Sequence, residues 1–441
     1  VIKIITDLPG PRAQQFLTES SKYEPRSMSE QVPVVWSRGE RCYIEDVDGN
    51  VFLDWSSGVL VANVGHSHPQ LVEEMRAQAG LVVNSYDFVN PYRPALARKL
   101  VEITPPNLDK AFILSTGAEA TEAALKLARK ATGKKELIGF HGAFHGRTYG
   151  AMSVGGTKSG HSTQGFGPFL PQVYLAPFPY CYRCPFGRTH PECDTQCFSY
   201  LELMVQRETE GDIAGVITEA YQGGAGSIIP PAAWMKKLEA WCRKNDVVFI
   251  MDEVQASFGR TGRMFCFEHY DVTPNLLCLG KGISSSVPVS ALVGESKLMD
   301  VLEPGTMSST HGGNAFCSRV ALRNVELIEE ERLVENSAKV GAYFGERFAD
   351  LQQRCDRLGD ARGMGMVWGL EMVKTKEGKE PDTEITRRII DGCFRRGLLL
   401  IAPIGLFGNV IRVAPPLVMT EEEAKIGCDI LAEVMMEAAA H

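Results

Sequence analysis

Residues 275–286, "NLLCLGKGISSS", set a lysine directly behind an apolar run. Leu276, Leu277, Cys278 and Leu279 read as a short buried strand, which Gly280 ends. A lysine where a core strand meets its loop must leave its ammonium in water, pair it, or lose the proton. Outward from this point the same pattern recurs. "AFIL" (111–114), "ELIGF" (136–140), "QVYLAP" (172–177), "AGVIT" (214–218) and "VVFIM" (247–251) read as strands. "LVEEMRAQAG" (71–80), "ALARKLVEIT" (95–104), "TEAALKLARKATG" (121–133) and "MKKLEAWCRKN" (235–245) read as helices. Short apolar strands alternating with amphipathic helices predict an α/β fold with a mostly parallel sheet covered on both faces.

Before this region, "RCYIEDVDG" and "NVFLDWSSG" flank an Asp-Gly turn and predict a hairpin. After about residue 315 come long helices, a strand in "GMVWGLEMV" and a final helix in "TEEEAKIGCDILAEVMMEAAAH", as in a smaller α+β domain. The chain of 441 residues is long enough for a large core split into domains. A net charge of -8 argues against nucleic acid or an anionic membrane as the main partner. No run is long enough to span a bilayer, and "VIKIITDLPGPR" does not read as a signal peptide. Twelve cysteines, most of them single in apolar contexts, suit a reducing cytoplasm.

In open α/β sheets ligands bind beyond the carboxyl ends of the strands, so the residues just after each run matter most. After "AFIL" come Ser115, Thr116, Gly117 and Ala118 at the start of a helix, a ready site for phosphate. Asp252 follows "VVFIM", Glu219 follows "AGVIT", and Lys281 follows "NLLCLG". Each has an ordinary reading, as a capped helix, structural ion pairs and a solvated lysine. Together they meet the needs of pyridoxal phosphate. A lysine forms a Schiff base with the aldehyde, a carboxylate keeps the pyridine nitrogen protonated, and a helix N-terminus holds the phosphate.

The chain resembles class III (subgroup II) pyridoxal-phosphate aminotransferases, the group of 4-aminobutyrate, ornithine and amine–pyruvate aminotransferases, with dialkylglycine decarboxylase and some racemases among its relatives. The resemblance runs from "YIEDVDGNVFLDWSSG" and "VGHSHPQLV" through "STGAEATEAALKLAR", "FHGRTYGA", "MDEVQASFGRTGRMF" and "LGKGIS" to "STHGGN", "ARGMGMVWGLEMV" and "IRVAPPL". It implies fold type I, with a seven-stranded type of central sheet in a large domain (66–315). A small C-terminal domain (316–441) is joined by an N-terminal segment (1–65), in a homodimer with a shared site. It implies that Lys281 carries pyridoxal 5'-phosphate and moves the substrate proton, that Asp252 faces the ring nitrogen, and that Gln255 faces the phenolic oxygen. Gly117 and Ala118 match the phosphate turn, Phe144 the ring-stacking aromatic with His145 beside it, and Thr310 the phosphate contact from the neighbouring subunit. Arg412 matches the arginine that grips a substrate carboxylate, and Arg147 a second arginine, with Glu219 expected to pair with it. The implied substrates are an amino donor and a 2-oxo acid.

Departures from the family pattern bear on the reaction. Gly224 stands where ω-amino-acid transaminases usually have a glutamate that screens the arginine equivalent to Arg412. Val59 stands where dialkylglycine decarboxylase has a glutamine, which argues against decarboxylation, whereas racemisation stays open. Ala220 and Ala315 replace usual prolines, and "SSSVPVS" a glycine-rich loop. Val59, Leu60, Tyr86, Phe88 and His311 are candidates for choosing the substrate. Separately, "CYRCPFGRTHPECDTQC" gathers Cys181, Cys184, Cys193 and Cys197, with His190 among them. The spacing is that of a zinc knuckle; a disulfide and free thiols are the alternatives, and the loop is structural in each.

Overall fold

The computed structural model describes residues 1–28, 30–156 and 163–440. Leu276–Leu279 is a strand, fully buried, at the centre of an eight-stranded sheet. It pairs in parallel with Val248–Asp252, which pairs with Ile213–Glu219, which pairs with Glu136–His141. Val173–Ala176 and the two-residue strand Gly155–Gly156 both run parallel to Glu136–His141. That two-residue strand makes eight of the expected seven. On the other side Ser290–Gly294 runs antiparallel between Leu276–Leu279 and Lys110–Leu114. The strands ending at Leu114, Glu219, Asp252 and Leu279 therefore deliver their carboxyl ends to one edge, and the antiparallel strand begins there.

Alternation along the strands splits the core in two. Ile250, Leu276, Cys278 and Leu292 pack with Ala120, Ala124 and Leu127 of the helix Gly117–Thr132 on one face. Phe249, Met251, Leu277 and Leu279 point into the larger cluster on the opposite face. With both faces dry, the strands read as continuous apolar runs.

The early hairpin is present, with Tyr43–Asp46 antiparallel to Val51–Asp54 and Tyr43 opposite Leu53. Its second strand also pairs in parallel with Leu398–Leu399, so the start of the chain is sewn to residues near its end. A third, antiparallel sheet joins Leu358–Met364, Val367–Met372 and Val410–Val413, with Arg412 opposite Gly369. Trp55 ties these parts together. It is fully buried, meets Phe344 edge-on at 5.3 Å, and lies against Gly427 of the helix Glu421–Ala439. Among the described residues no helix is long and apolar enough to cross a membrane.

A Cβ at Gly427 would overlap the Trp55 indole, whose surroundings leave no space to move into. Gly427→Ala is therefore expected to cost about 1–3 kcal/mol of stability through overpacking, read as an earlier urea midpoint. An unchanged midpoint would show that the Trp55 contact is soft.

Candidate active site

A cavity of about 560 Å³ opens at the carboxyl edge of the central sheet. Its wall includes Lys281, Asp252, Glu219, His145, Phe144, Gln255, Gly117, Ala118, Val59 and Arg412, residues from seven separate stretches of chain. At one end is the N-terminus of the helix Gly117–Thr132. Thr116 accepts from the Glu119 amide at 3.2 Å, while Glu119 accepts from the Ser115 and Thr116 amides at 2.8 and 3.0 Å. This capping box leaves the amides of Gly117 and Ala118 without partners inside the helix. A Cβ on Gly117 would come within 2.7 Å of Val254, so the turn can close only on glycine.

Asp252, the last residue of its strand, meets His145 Nδ1 at 2.6 Å, and both are nearly fully buried. Its other oxygen accepts from the Val254 amide at 2.9 Å. Burial works against a charge on His145, but the hydrogen bond and the negative charge of Asp252 outweigh it, and the His145 pKa is raised. His145 Nε2 is buried without a partner.

Lys281 takes φ +44, a left-handed conformation that a side-chain-bearing residue adopts at a cost of about 1–3 kcal/mol and that marks functional sites. Its amine has no hydrogen bond or ion pair among the described residues. Burial lowers its pKa, Asp252 and Glu219 oppose that, Arg412 adds to it, and the net direction is down. The amine is thus brought closer to the neutral form that can attack a carbonyl.

Glu219 does not pair with Arg147 as expected. Its oxygens accept from the Phe144 and Gly223 amides, both at 2.9 Å, because the strand end points the carboxyl at two free backbone donors. Arg147 is exposed and lies over the Phe144 ring at 5.5 Å. Burial raises Glu219 from 4.5 to about 7. Arg412, also buried, donates through Nη2 to the Gly223 carbonyl at 2.7 Å, while its Nε has no partner. Gln255 accepts the Tyr221 hydroxyl at 3.1 Å through its oxygen, which leaves the amide NH2 free to donate.

Val59 belongs to a run from Ser57 to Leu60 in which every residue has positive φ, so a left-handed turn carries it to the cavity wall. Leu60 is buried outside the lining. Thr310, His311, Tyr86 and Phe88 are exposed and do not line the cavity within this chain. The loop Ser286–Val289, within the "SSSVPVS" departure, lines it, as does Tyr221, which carried no sequence signal beyond its position after a strand. Cys181, Cys184, Cys193 and Cys197 are free thiols, and among the described residues no group of three or more ligand side chains is placed to hold a metal ion.

A buried lysine, a carboxylate–imidazole pair, a helix N-terminus and a buried arginine thus surround one cavity. Residues 25–435 match the family described as Aminotransferase class-III, and the chain belongs to it. It is 35% identical over 438 residues to a 4-aminobutyrate aminotransferase of Mycobacterium leprae (strain TN), covering 98% of each chain. It is 34% identical to an alanine/serine racemase of Pyrococcus horikoshii over 97% of this chain and 91% of that one. An amine transaminase from an uncultivated Pseudomonas species, solved in its PLP-bound form, superposes with a TM-score of 0.84 at 29% identity, covering 92% of this chain and 94% of that one. The family depends on pyridoxal phosphate and transfers amino groups.

The shift on Glu219 has a sign that can be tested. A folded-state pKa above the unfolded one stabilises fully below pH 4.5, and that contribution is lost as pH rises through about 7. In the cofactor-free protein, melting temperature measured across this range should fall more steeply for the wild type than for Glu219→Gln. Parallel curves would mean that Glu219 enters the folded state already ionised.

Proposed function

We propose that the residues gathered around this cavity act together on pyridoxal 5'-phosphate and on an amine or amino acid whose amino group passes to a 2-oxo acid. The observation that carries the reading is the convergence of Lys281, the Asp252–His145 pair, the free amides of Gly117 and Ala118, and Arg412 on one space. The unpartnered donors fit the cofactor: two amides at a helix N-terminus suit its phosphate, and the free Gln255 amide suits its phenolic oxygen. When bound, the cofactor supplies a carbonyl that condenses with amines and a ring that draws electrons from the bond to be broken.

Lys281 Nζ would hold the cofactor through its carbonyl carbon and would be the base for the proton on the substrate Cα. Asp252, fixed by His145, would face the ring nitrogen. Phe144 would pack on the ring, and Arg147, over Phe144 at 5.5 Å, would steady it. Arg412 takes the substrate carboxylate through its fork. Glu219 holds the Phe144 and Gly223 amides and thereby the wall beside both. Val59 bounds the substrate side with an apolar surface, which offers no hydrogen bond to a carboxylate that is to leave.

The reading includes a homodimer in which Thr310 reaches the phosphate of the neighbouring subunit. Exposed apolar residues Leu81, Val82, Phe88 and Val89 on one segment support an interface there. It divides the chain at 65/66 and 315/316, with support from the pairing of Val51–Asp54 with Leu398–Leu399. Free buried thiols such as Cys242 and Cys278 support a cytoplasmic setting. Racemisation is the second reading, supported by the similarity to the Pyrococcus racemase.

Two experiments test this. In a single-turnover panel of L- and D-alanine, glutamate, 4-aminobutyrate, ornithine, 2-aminoisobutyrate and an arylalkylamine, at least one donor should convert the bound cofactor to its pyridoxamine form without carbon dioxide. Scrambled alanine stereochemistry with the cofactor spectrum retained would move the chain to racemisation. As part of the same first experiment, borohydride reduction should fix the cofactor to the Lys281 peptide, and Lys281→Ala should take no label. In the second experiment, a carboxylate is placed opposite Arg412. A Cβ on Gly224 meets only Phe144, at 3.4 Å, so Gly224→Glu fits. It should raise KM for the 2-oxo acid about tenfold by competing for the arginine. An unaltered KM would separate Gly224 from the carboxylate site.

A further inference from the structure

Arg362 lies outside the cavity, on the strand Leu358–Met364, yet its guanidinium ends on the turn that carries Gly224 to the cavity wall. Nε and Nη2 both donate to the Gly226 carbonyl, at 3.0 and 2.7 Å. Nη1 donates to Asp360 at 2.6 Å and to Glu371 at 2.7 Å. Glu371 is fully buried and also accepts from Tyr180 and Arg183. Burial works against the charge on Arg362, but Tyr180, Glu371 and Asp360 more than restore it, and its pKa is raised. The fork is therefore a fixed cation clamped from two sides, which a lysine could not reproduce.

Gly226 closes a tight turn. Its amide and that of Ser227 donate to the Gly223 carbonyl at 3.2 and 3.3 Å. The same carbonyl receives Arg412 Nη2 at 2.7 Å. Between them Gly224 lines the cavity, and its carbonyl accepts from the Gly405 amide at 3.2 Å. Glycine makes these approaches possible. A Cβ on Gly226, which has φ +117, would come within 2.9 Å of Arg362, and one on Gly369 would come within 2.6 Å of the Gly226 carbonyl. Two arginines thus hold opposite ends of one five-residue turn.

We propose that Arg362 is a positioning residue that pins the Gly223–Ser227 turn and, through the Gly223 carbonyl, aims the Arg412 fork, so that it sets the affinity for the substrate carboxylate. This rests on the reading of Arg412 as the carboxylate group. Without Arg362 the Gly226 carbonyl is released, the turn relaxes and Arg412 loses its fixed anchor. Lys281 and Asp252 hang on other strands, so the chemistry at saturation is kept.

The test uses the cofactor-loaded protein and glutarate, a carboxylate with no amino group to transfer, titrated by calorimetry beside steady-state kinetics with pyruvate. Arg362→Met should weaken glutarate about tenfold and raise the pyruvate KM by a similar factor, with kcat and the cofactor absorption kept. Arg412→Lys should weaken glutarate as well. Arg362→Lys, with a single donor left for Gly226, should fall between wild type and Met, and it answers the question if the Met variant does not fold. Wild-type glutarate affinity in a folded Arg362 variant, alongside weakening in Arg412→Lys, would overturn the positioning role alone. A fall in kcat at unchanged KM would overturn it too. If Arg412→Lys binds glutarate normally, the reading of Arg412 fails and this inference falls with it.

Discussion

A carboxylate at the end of a buried strand has to be met by a proton or a cation, and Asp252 is met by His145. The rest of the site is arranged around that pair. The parallel sheet places Glu219 and Lys281 at neighbouring strand ends, in reach of the same field, while a strand of the third sheet brings in Arg412. Two carboxylates, an imidazole, an amine and a guanidinium share one desolvated space, and each pulls on the others. The lowered Lys281 amine and the raised Glu219 carboxyl are two results of the same burial.

Backbone does as much as side chains. Glu219 is held by two amides, Gly117 exists because a Cβ would strike Val254, and Arg412 is anchored on a carbonyl. A left-handed turn carries Val59 to the wall, and Lys281 itself sits at positive φ. Such strain persists only where the surroundings over-determine the conformation. Here the surroundings are a close-packed sheet edge and one turn held by two arginines.

The central sheet was legible because each strand is buried on both faces and reads as an apolar run ended by a polar or glycine residue, as at Leu276–Leu279 before Gly280. Asp252, Glu219 and Lys281 were legible for the same reason: they are the first chemistry after those runs. The partner of Glu219 was not, because backbone amides carry no letter in a sequence. Arg362 was hidden likewise, since its target is a carbonyl and its position falls in a half-buried strand far along the chain. Spacing alone could not distinguish a zinc knuckle from free thiols at Cys181–Cys197. Among the described residues no group of three or more ligand side chains is placed to hold a metal ion, and the segment is held through Tyr180 and Arg183 on Glu371.

We propose that Asp252, held by His145, keeps the bound cofactor's ring nitrogen protonated. The most direct measurement is the nitrogen-15 chemical shift of ring-labelled pyridoxal phosphate bound to the protein, followed across neutral to mildly alkaline pH. The account predicts a pyridinium shift that persists in the wild type and is lost in Asp252→Asn. A neutral-pyridine shift in the wild type, or a pyridinium shift that survives the substitution, would contradict it.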